Sequence, residues 1–403
     1  MNINAVSRKK RFAILLTLGL LSAIGPFSID MYLPAFETIA LDFETTIEHI
    51  QLSLTSFFIG IALGQLIYGP LLDKFGRKKP LLVGLLIYIG ASVLCAYTKE
   101  PNHLIFLRFL QALGSCSGMV ASRAMVRDIF EPREAAKVFS MLMLVIGISP
   151  IIAPSVGAFV LANFDWHIIF VILAVLAFLI LLSVIFILPE SYQGNKKMSL
   201  HPRAIISDFW GVFRNPTFIL YAAIGGFASS GLYAYLSGSS FVLQRLFGLS
   251  EAEYGGAFAL VASSLIIATQ LNRVLLNRWD SEGISKKASF FQASAGILLV
   301  IFALSSGTSL YVLLALICLF LCSQGFIFPN TSALALAPFG KLAGIASALL
   351  GCIQMALGAV TSASVSYFHN GTMLPMVAIM CASALIACLI SFLIAKPKRE
   401  ILS

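Results

Sequence analysis

The stretch GPLLDKFGRKK, Gly69–Lys79, is a short basic turn set between two long apolar runs, residues 48–72 and 80–97. It concentrates Lys74, Arg77, Lys78 and Lys79 beside a single acid, Asp73, with Gly69 and Gly76 available for tight backbone geometry. Apolar runs near twenty residues long are the length a helix needs to cross a bilayer. A membrane strand would need only about 10 residues and would alternate in polarity. The turn is therefore predicted to lie at a membrane surface and to join two spanning helices.

The rest of the chain repeats this pattern. Of 403 residues, 59% are hydrophobic and only 11% charged, with mean hydropathy +0.94. Soluble domains carry about 25% charged residues, so the composition excludes an ordinary cytosolic enzyme and implies an integral membrane protein. Twelve apolar runs stand near residues 12–36, 48–72, 80–97, 104–126, 137–162, 167–188, 217–243, 252–275, 288–306, 309–330, 342–367 and 372–395. The expected fold class is all-α, with twelve transmembrane helices.

Charge placement gives an orientation. Basic residues accumulate on the cytoplasmic side of spanning helices. Placing both ends inside puts 24 of the 27 lysines and arginines there, leaving Lys99, Arg108 and Arg245. The amino-terminal Arg8–Arg11 and the carboxy-terminal Lys396, Lys398 and Arg399 belong to that set, as do Lys196, Lys197 and Lys341. The first outer loop instead carries Glu37, Asp42, Glu44 and Glu48. The net charge of +9 is thus a topology signal and gives no reason to expect a nucleic-acid partner. The apolar start reads as a retained first helix, because the run is long and no clear cleavage site closes it. The seven cysteines all fall in apolar runs and read as small packing residues.

The longest polar interruption, residues 189–216, follows the sixth run and mixes both charges. It divides the chain into a six-span lobe at 1–188, a cytoplasmic linker at 189–216 with an interfacial helix near Ile205–Phe213, and a second six-span lobe at 217–403. Such halves are the organisation of transporters built from internal repeats. A weak echo of the opening stretch, LNRVLLNRWDSEGISKK at Leu271–Lys287, occupies the corresponding loop of the second half.

Catalytic signatures are missing. No HExxH, hydrolase elbow or zinc spacing occurs, and Gly340-Lys341 fails as a nucleotide loop because Ala335 and Leu342 replace its defining residues. No cofactor or metal is expected. The clearest intramembrane charges are Asp30 in GPFSIDMYLPAF and Arg108 in the fourth span. Such residues usually face the protein interior and mark ion or substrate paths. Asp30 lies about 9 Å, and Arg108 about 6 Å, from the same outer surface at 1.5 Å per residue. A pair is therefore geometrically possible. The plainer alternatives are that Arg108 snorkels to outer headgroups and that Asp30 caps a turn opened by Pro34. At the inner surface, Asp73 is expected to engage a helix start or an arginine at the base of span four, latching the two halves. Span five, GISPIIAPSVGAF from Gly147, carries Pro150 and Pro154, which favour a bent, closely packed helix.

Together these stretches resemble the major facilitator superfamily, its drug:proton antiporter branch, and within that the Bcr/CflA type. GPLLDKFGRKK is similar to the branch's loop motif, RFLQALGSCSGMVASRAMVRD (Arg108–Asp128) to its span-four motif, and GISPIIAPSVGA to its span-five motif. SIDMYLPAF (Ser28–Phe36) is similar to the span-one motif of the Bcr/CflA type, and SSFVLQRLFGLSEAEYG and FIFPNTSALAL extend the likeness into the second half. The resemblance implies two pseudo-symmetric six-helix lobes around a central cavity and multidrug efflux by proton antiport, a source of antibiotic resistance, in the bacterial inner membrane. It assigns proton coupling to Asp30 and Arg108, and cytoplasmic gating to Gly69, Asp73, Gly76 and Arg77 with Arg127 as partner. It assigns the antiporter motif to Gly147, Pro150, Pro154 and Gly157. Ala153 and Ala158 depart from the glycines common there, and Ser22 stands where some relatives hold a second carboxylate. Tyr32, Gln111, Tyr235, Asn330 and Gln354 are candidate cavity residues. The expected partners are a small amphiphilic substrate, protons and the lipid bilayer, with the chain acting as a monomer. The same fold would also serve a facilitator or importer of a metabolite, or an exporter of an endogenous product such as a siderophore.

Overall fold

The structure is a computed structural model that describes residues 8–195, 201–305, 309–340 and 342–393. Lys196, Lys197, Lys341, Lys396, Lys398 and Arg399, counted above on the basic surface, lie outside them. The helices are α1 Arg8–Asp30, α2 Phe36–Asp42, α3 Ile47–Phe75, α4 Lys78–Tyr97, α5 Pro101–Ile129, α6 Pro132–Asn163 and α7 His167–Phe186. After the linker come α8 Pro202–Phe213, α9 Pro216–Ser240, α10 Glu251–Leu275, α11 Ser281–Leu304, α12 Leu310–Leu336, α13 Ala343–Tyr367 and α14 Leu374–Leu393. No strand occurs among the described residues. Twelve segments are long and apolar enough to cross a membrane, α1 and α2 together forming the first.

Local chemistry fixes many of the helix starts. Thr46 accepts from the His49 N–H at α3, Asn215 from Phe218 at α9, and Asp280 from Gly283 at α11. Ser250 and Glu253 form a reciprocal capping box at α10. Proline occupies an opening position of α5, α6, α8 and α9, where its missing N–H costs nothing. The helix expected in the linker near Ile205–Phe213 is α8, with Ile206, Trp210 and Phe213 exposed.

Helices α1 and α3–α7 pack among themselves, as do α9–α14, giving two six-span lobes. The lobes meet where α3 packs on α13 and α6 on α10. Helices α3 and α13 run antiparallel, as three contacts along them show. Ser366 Oγ donates to the Glu48 carbonyl (2.7 Å), Thr55 Oγ1 donates to Ser362 Oγ (2.9 Å), and the Gln65 amide lies against Gly351. At 1.5 Å per residue this seam extends about 26 Å along α3.

An internal repeat that the sequence hinted at only faintly is explicit in the polar contacts. In the first lobe, Arg108 and Gln111 of α5 tie to Ser28 of α1 and Ser92 of α4. In the second, Gln324 of α12 and Gln292 of α11 tie to Ser229 and Ala228 of α9. Corresponding spans of each half are joined by the same kind of buried polar bridge. The first-lobe bridge includes one charged member, Arg108, whereas the second-lobe bridge is neutral throughout.

Candidate functional site

Pro34 sets the geometry around Asp30. Without an N–H it cannot bond to the Asp30 carbonyl four residues back, so α1 stops at Asp30 and a 3-10 turn follows at Leu33–Ala35. The Tyr32 N–H turns to the Ile29 carbonyl (3.2 Å). The Ser28 carbonyl is then taken by Arg108 Nη2 (3.0 Å). A helix that ends early thus presents a carbonyl to a buried cation, as unwound membrane helices do.

Arg108 is fully buried. Its Nη1 donates to Gln111 Oε1 (2.5 Å), and its guanidinium lies 4.3 Å from the Phe57 ring centroid and 4.5 Å from that of Tyr32. Nε has no partner. Snorkelling is therefore excluded: backbone and amide oxygens and ring faces hold the charge inside the first lobe. No ion pair joins it to Asp30 among the described residues. The depth argument placed the two at similar heights, but Arg108 spends its donors on Ser28 and Gln111 of its own lobe.

Asp30 instead lies toward the lobe interface. It is 5% exposed and makes no hydrogen bond or ion pair among the described residues. Its electrostatic neighbours are Tyr235 of α9 and Tyr254 of α10, both in the second lobe. The Tyr235 hydroxyl is buried without a partner, and that of Tyr254 meets Ser239 Oγ (2.9 Å). Gln244 Nε2 reaches across the same interface to the Pro34 carbonyl (3.3 Å). A carboxylate so placed is costly to keep charged and is free to change partners as the lobes move.

The span-five motif supports this corner. A Cβ on Gly157 would fall 2.2 Å from the Met31 carbonyl oxygen, so glycine is what lets α6 touch the chain next to Asp30. Ala158 and the Pro154 carbonyl face Gly255 of α10, with 3.7 Å to a Cβ built there. A side chain on Gly255 would meet only ordinary contact with α6, so this crossing does not depend on its being glycine. Pro150 and Pro154 lie inside a continuous α6. Gly147 meets only ordinary contact, at 3.8 Å from Ile266, and its lack of a side chain serves no packing need here.

At the basic end, Arg77 is the hub of a charge cluster. Its Nε donates to Asp128 Oδ2 (2.7 Å) and its Nη1 to Asp73 Oδ1 (2.6 Å). Burial opposes the guanidinium's charge, but the bonds from Asp128 and Asp73 outweigh it and hold the pKa above the ordinary arginine value. The Glu190 carboxylate accepts from the Arg77 and Lys78 N–H groups (2.8 and 3.1 Å), capping α4, which has no side-chain cap of its own. Arg77 also lies over the Tyr192 ring, 4.7 Å from its centroid. Gly76 is required, since its φ of +87° is left-handed, whereas a Cβ on Gly69 would meet nothing within 4 Å.

Three sequence expectations change here. The Asp73 carboxylate bonds Arg77 one turn away, and neither a helix start nor Arg127. The cluster joins α3, α4, α5 and the start of the linker, all within the first lobe, and latches no lobe to the other. Arg127 makes no ion pair among the described residues and approaches Gly344 of α13 instead (3.9 Å to a Cβ built there). Asp128, Glu190 and Tyr192 were not selected from sequence. Asp128 closes the span-four motif, and its position there is the sequence signal for its role.

A cavity of about 300 Å³ opens at this basic end between α3, α5, α8, α12 and α13. Gln65, Gly69, Asp73, Arg77 and Arg127 line it. None of the five residues expected to line a cavity lines this one. Tyr32 bonds Ser53 (2.9 Å), Gln111 bonds Arg108 and Ser92, and Asn330 bonds Asn272 (2.6 Å). Tyr235 and Gln354 are buried with an unpartnered Tyr235 hydroxyl and Gln354 Nε2. Polarity in an apolar helix marked these positions, and most of it is spent on holding helices together.

Two six-span lobes, a closed seam at one end, a cavity at the other and an isolated buried carboxylate between them define a membrane transporter of the alternating-access class. A family model described as Major Facilitator Superfamily matches residues 18–363, and the chain belongs to that superfamily. It is 33% identical over 392 residues to the uncharacterized MFS-type transporter YdgK of Bacillus subtilis, covering 97% of each chain. It is 30% identical over 382 residues to the bicyclomycin resistance protein homolog of Haemophilus influenzae, covering 95% of this chain and 96% of the relative. Multidrug resistance protein MdtL of a Shewanella strain is 28% identical, over 93% of each chain. Among solved structures, a D-xylose-proton symporter superposes with TM-score 0.74 at 16% identity, covering 94% of this chain and 97% of that one. A bacterial homologue of the lysosomal transporter Spinster gives 0.73 at 14%, covering 96% and 97%. At those identities the likeness concerns the fold.

Proposed function

We propose that the protein is a proton-coupled exporter of small amphiphilic compounds, drugs among them. It sits in the bacterial inner membrane with both termini and the basic end in the cytoplasm. The names of the bicyclomycin-resistance and MdtL relatives support drug efflux, and the basic loops support the orientation. The cavity then opens to the cytoplasm while the α3–α13 seam closes the outer side. The chain carries its substrate across unchanged and uses the proton gradient as its energy source, without a cofactor.

The observation that carries proton coupling is Asp30, a carboxylate without a counter-charge at the moving interface. When the outer seam opens, Asp30 meets water and takes up a proton, and its neutral form is the one the closed interface accommodates. Release of the proton toward the cytoplasm restores the charge and favours reopening. Arg108 is a positioning residue in this scheme: it fixes the end of α1 through the Ser28 carbonyl, two residues before Asp30.

The test is transport in proteoliposomes with an imposed pH gradient. Asp30→Asn is expected to insert and fold while losing uphill, gradient-driven transport. Undiminished pH-driven efflux by that variant overturns the assignment.

A further inference from the structure

We infer that the cavity at the basic end is a binding site for an anionic head group, so that the compounds it admits include amphiphiles carrying a carboxylate or another oxyanion. This inference rests on the exporter reading above and names the class of substrate.

Two arginines one turn apart on α5, Arg123 and Arg127, both line the cavity. Neither makes a hydrogen bond or an ion pair among the described residues. They are close enough to act on one another as like charges. The opposite wall is the first turn of α13, whose start has no side-chain cap at Leu342. The Arg127 guanidinium nitrogens stand 3.9 and 4.0 Å from a Cβ built on Gly344 in that turn. A helix start carries free N–H groups and the positive end of the helix dipole. Positive groups thus face one another across a gap between the lobes.

Deeper in the cavity lies Gln65. It is 6% exposed, lines the cavity, and has no hydrogen-bond partner among the described residues. Its amide supplies one further donor. Buried polar groups are normally paired, and this one, packed against Gly351 where the seam meets the cavity, is not. The acids near the cavity do not balance the arginines. Asp73 is engaged by Arg77, and Asp208 of α8 is exposed at the mouth without an ion pair among the described residues. The remaining lining is apolar, including Val120, Phe139, Phe209, Leu336, Ile345 and Ala348. Two unpaired guanidinium groups, a helix start and an amide against an apolar wall fit an oxyanion with a hydrocarbon or aromatic body. Because α5 and α13 belong to different lobes, a bound oxyanion would also draw the lobes together at this end.

The same chemistry is offered by a soluble organic anion and by an anionic phospholipid headgroup. Binding is measured on the full-length protein in phosphatidylcholine nanodiscs by thermal shift and by equilibrium titration, without a proton gradient. The probes are 4-phenylbutyrate, 4-phenylbutanol and 4-phenylbutylamine. The carboxylate is expected to bind at least tenfold more tightly than the alcohol or the amine. Arg123→Gln/Arg127→Gln should abolish that preference, Arg123→Lys/Arg127→Lys should restore most of it, and Asp208→Asn should tighten carboxylate binding. Nanodiscs containing phosphatidylglycerol separate the sources. Loss of the carboxylate effect there, dependent on the two arginines, assigns the site to lipid, and its persistence assigns it to the soluble anion. Equal binding of all three probes, or an unchanged preference in the glutamine variant, overturns the proposal. The assay needs no gradient, so its failure is independent of the Asp30 transport assay, and either reading can fall while the other stands.

Discussion

Gly157 touches the backbone of Met31: a Cβ there would stand 2.2 Å from the Met31 carbonyl oxygen. The contact joins α6, one of the spans that meet the second lobe, to the residue following Asp30. Movement of α6 is thereby felt at the carboxylate. Gly157→Val is expected to force α6 away from the end of α1 and to destabilise the protein by about 1–3 kcal/mol. Transport should fall more than stability does. The check is detergent melting together with pH-driven uptake, and a variant with unaltered melting and flux would show that the contact is dispensable.

Arg108 acts through geometry that lysine cannot reproduce. A planar guanidinium meets Gln111, the Ser28 carbonyl and two ring faces at once, while an ammonium group is a point charge. Arg108→Lys should lose transport by more than tenfold and melt at lower temperature, with about 2 kcal/mol lost through unsatisfied buried groups. Wild-type flux in the lysine variant would mean that positive charge alone suffices.

At the basic end, Asp128 and Glu190 hold Arg77, and Arg127 takes no part in the cluster. Asp128→Asn removes one of the two charge partners of a largely buried arginine and should cost about 2 kcal/mol. Glu190→Gln should cost less, because its bonds are to backbone N–H groups at a surface that water reaches. Melting curves of the two single variants and the double variant measure their coupling through Arg77. Strict additivity would argue against a shared cluster.

The seam offers a conformational test. Thr55 and Ser362 are hydrogen-bonded across the lobes, while the seven native cysteines are free. In a background with those cysteines replaced, Thr55→Cys/Ser362→Cys should cross-link on oxidation and stop transport, and a reductant should restore it. Continued turnover by the cross-linked protein would show that this seam need not open.

Tyr235 carries a buried hydroxyl with no partner beside an unpaired acid. Tyr235→Phe should therefore melt within about 1 kcal/mol of the wild type, since no hydrogen bond is lost. The pH profile of transport is the sensitive readout. It should shift, because the phenol interacts electrostatically with Asp30 from the opposite lobe. An unchanged profile would remove Tyr235 from the coupling path.

Much of the architecture was legible before any coordinates. Run length and basic loops count the twelve spans because a bilayer demands uninterrupted apolar helices. The linker's amphipathic helix, the Gly76 turn and the importance of Asp30, Arg108 and Arg77 follow from residue type and local spacing. The cavity list fared worse. Tyr32, Gln111 and Asn330 were chosen for being polar in apolar runs. Polarity in a run does not distinguish a residue that binds substrate from one that pins two helices together.

The amino-acid sequence by itself therefore determined which segments cross the membrane, where the chain divides and which charges are anomalous. These depend on composition and on neighbours a few residues away. Tertiary structure decided the partners. Arg108 turned out to hold a carbonyl freed by Pro34, Asp30 to lie within electrostatic reach of tyrosines of the other lobe, and Arg127 to approach a helix start instead of an acid. Depth along a helix can be counted in the sequence. The direction in which a side chain points, however, depends on how each helix is rotated against its neighbours, and packing fixes that rotation.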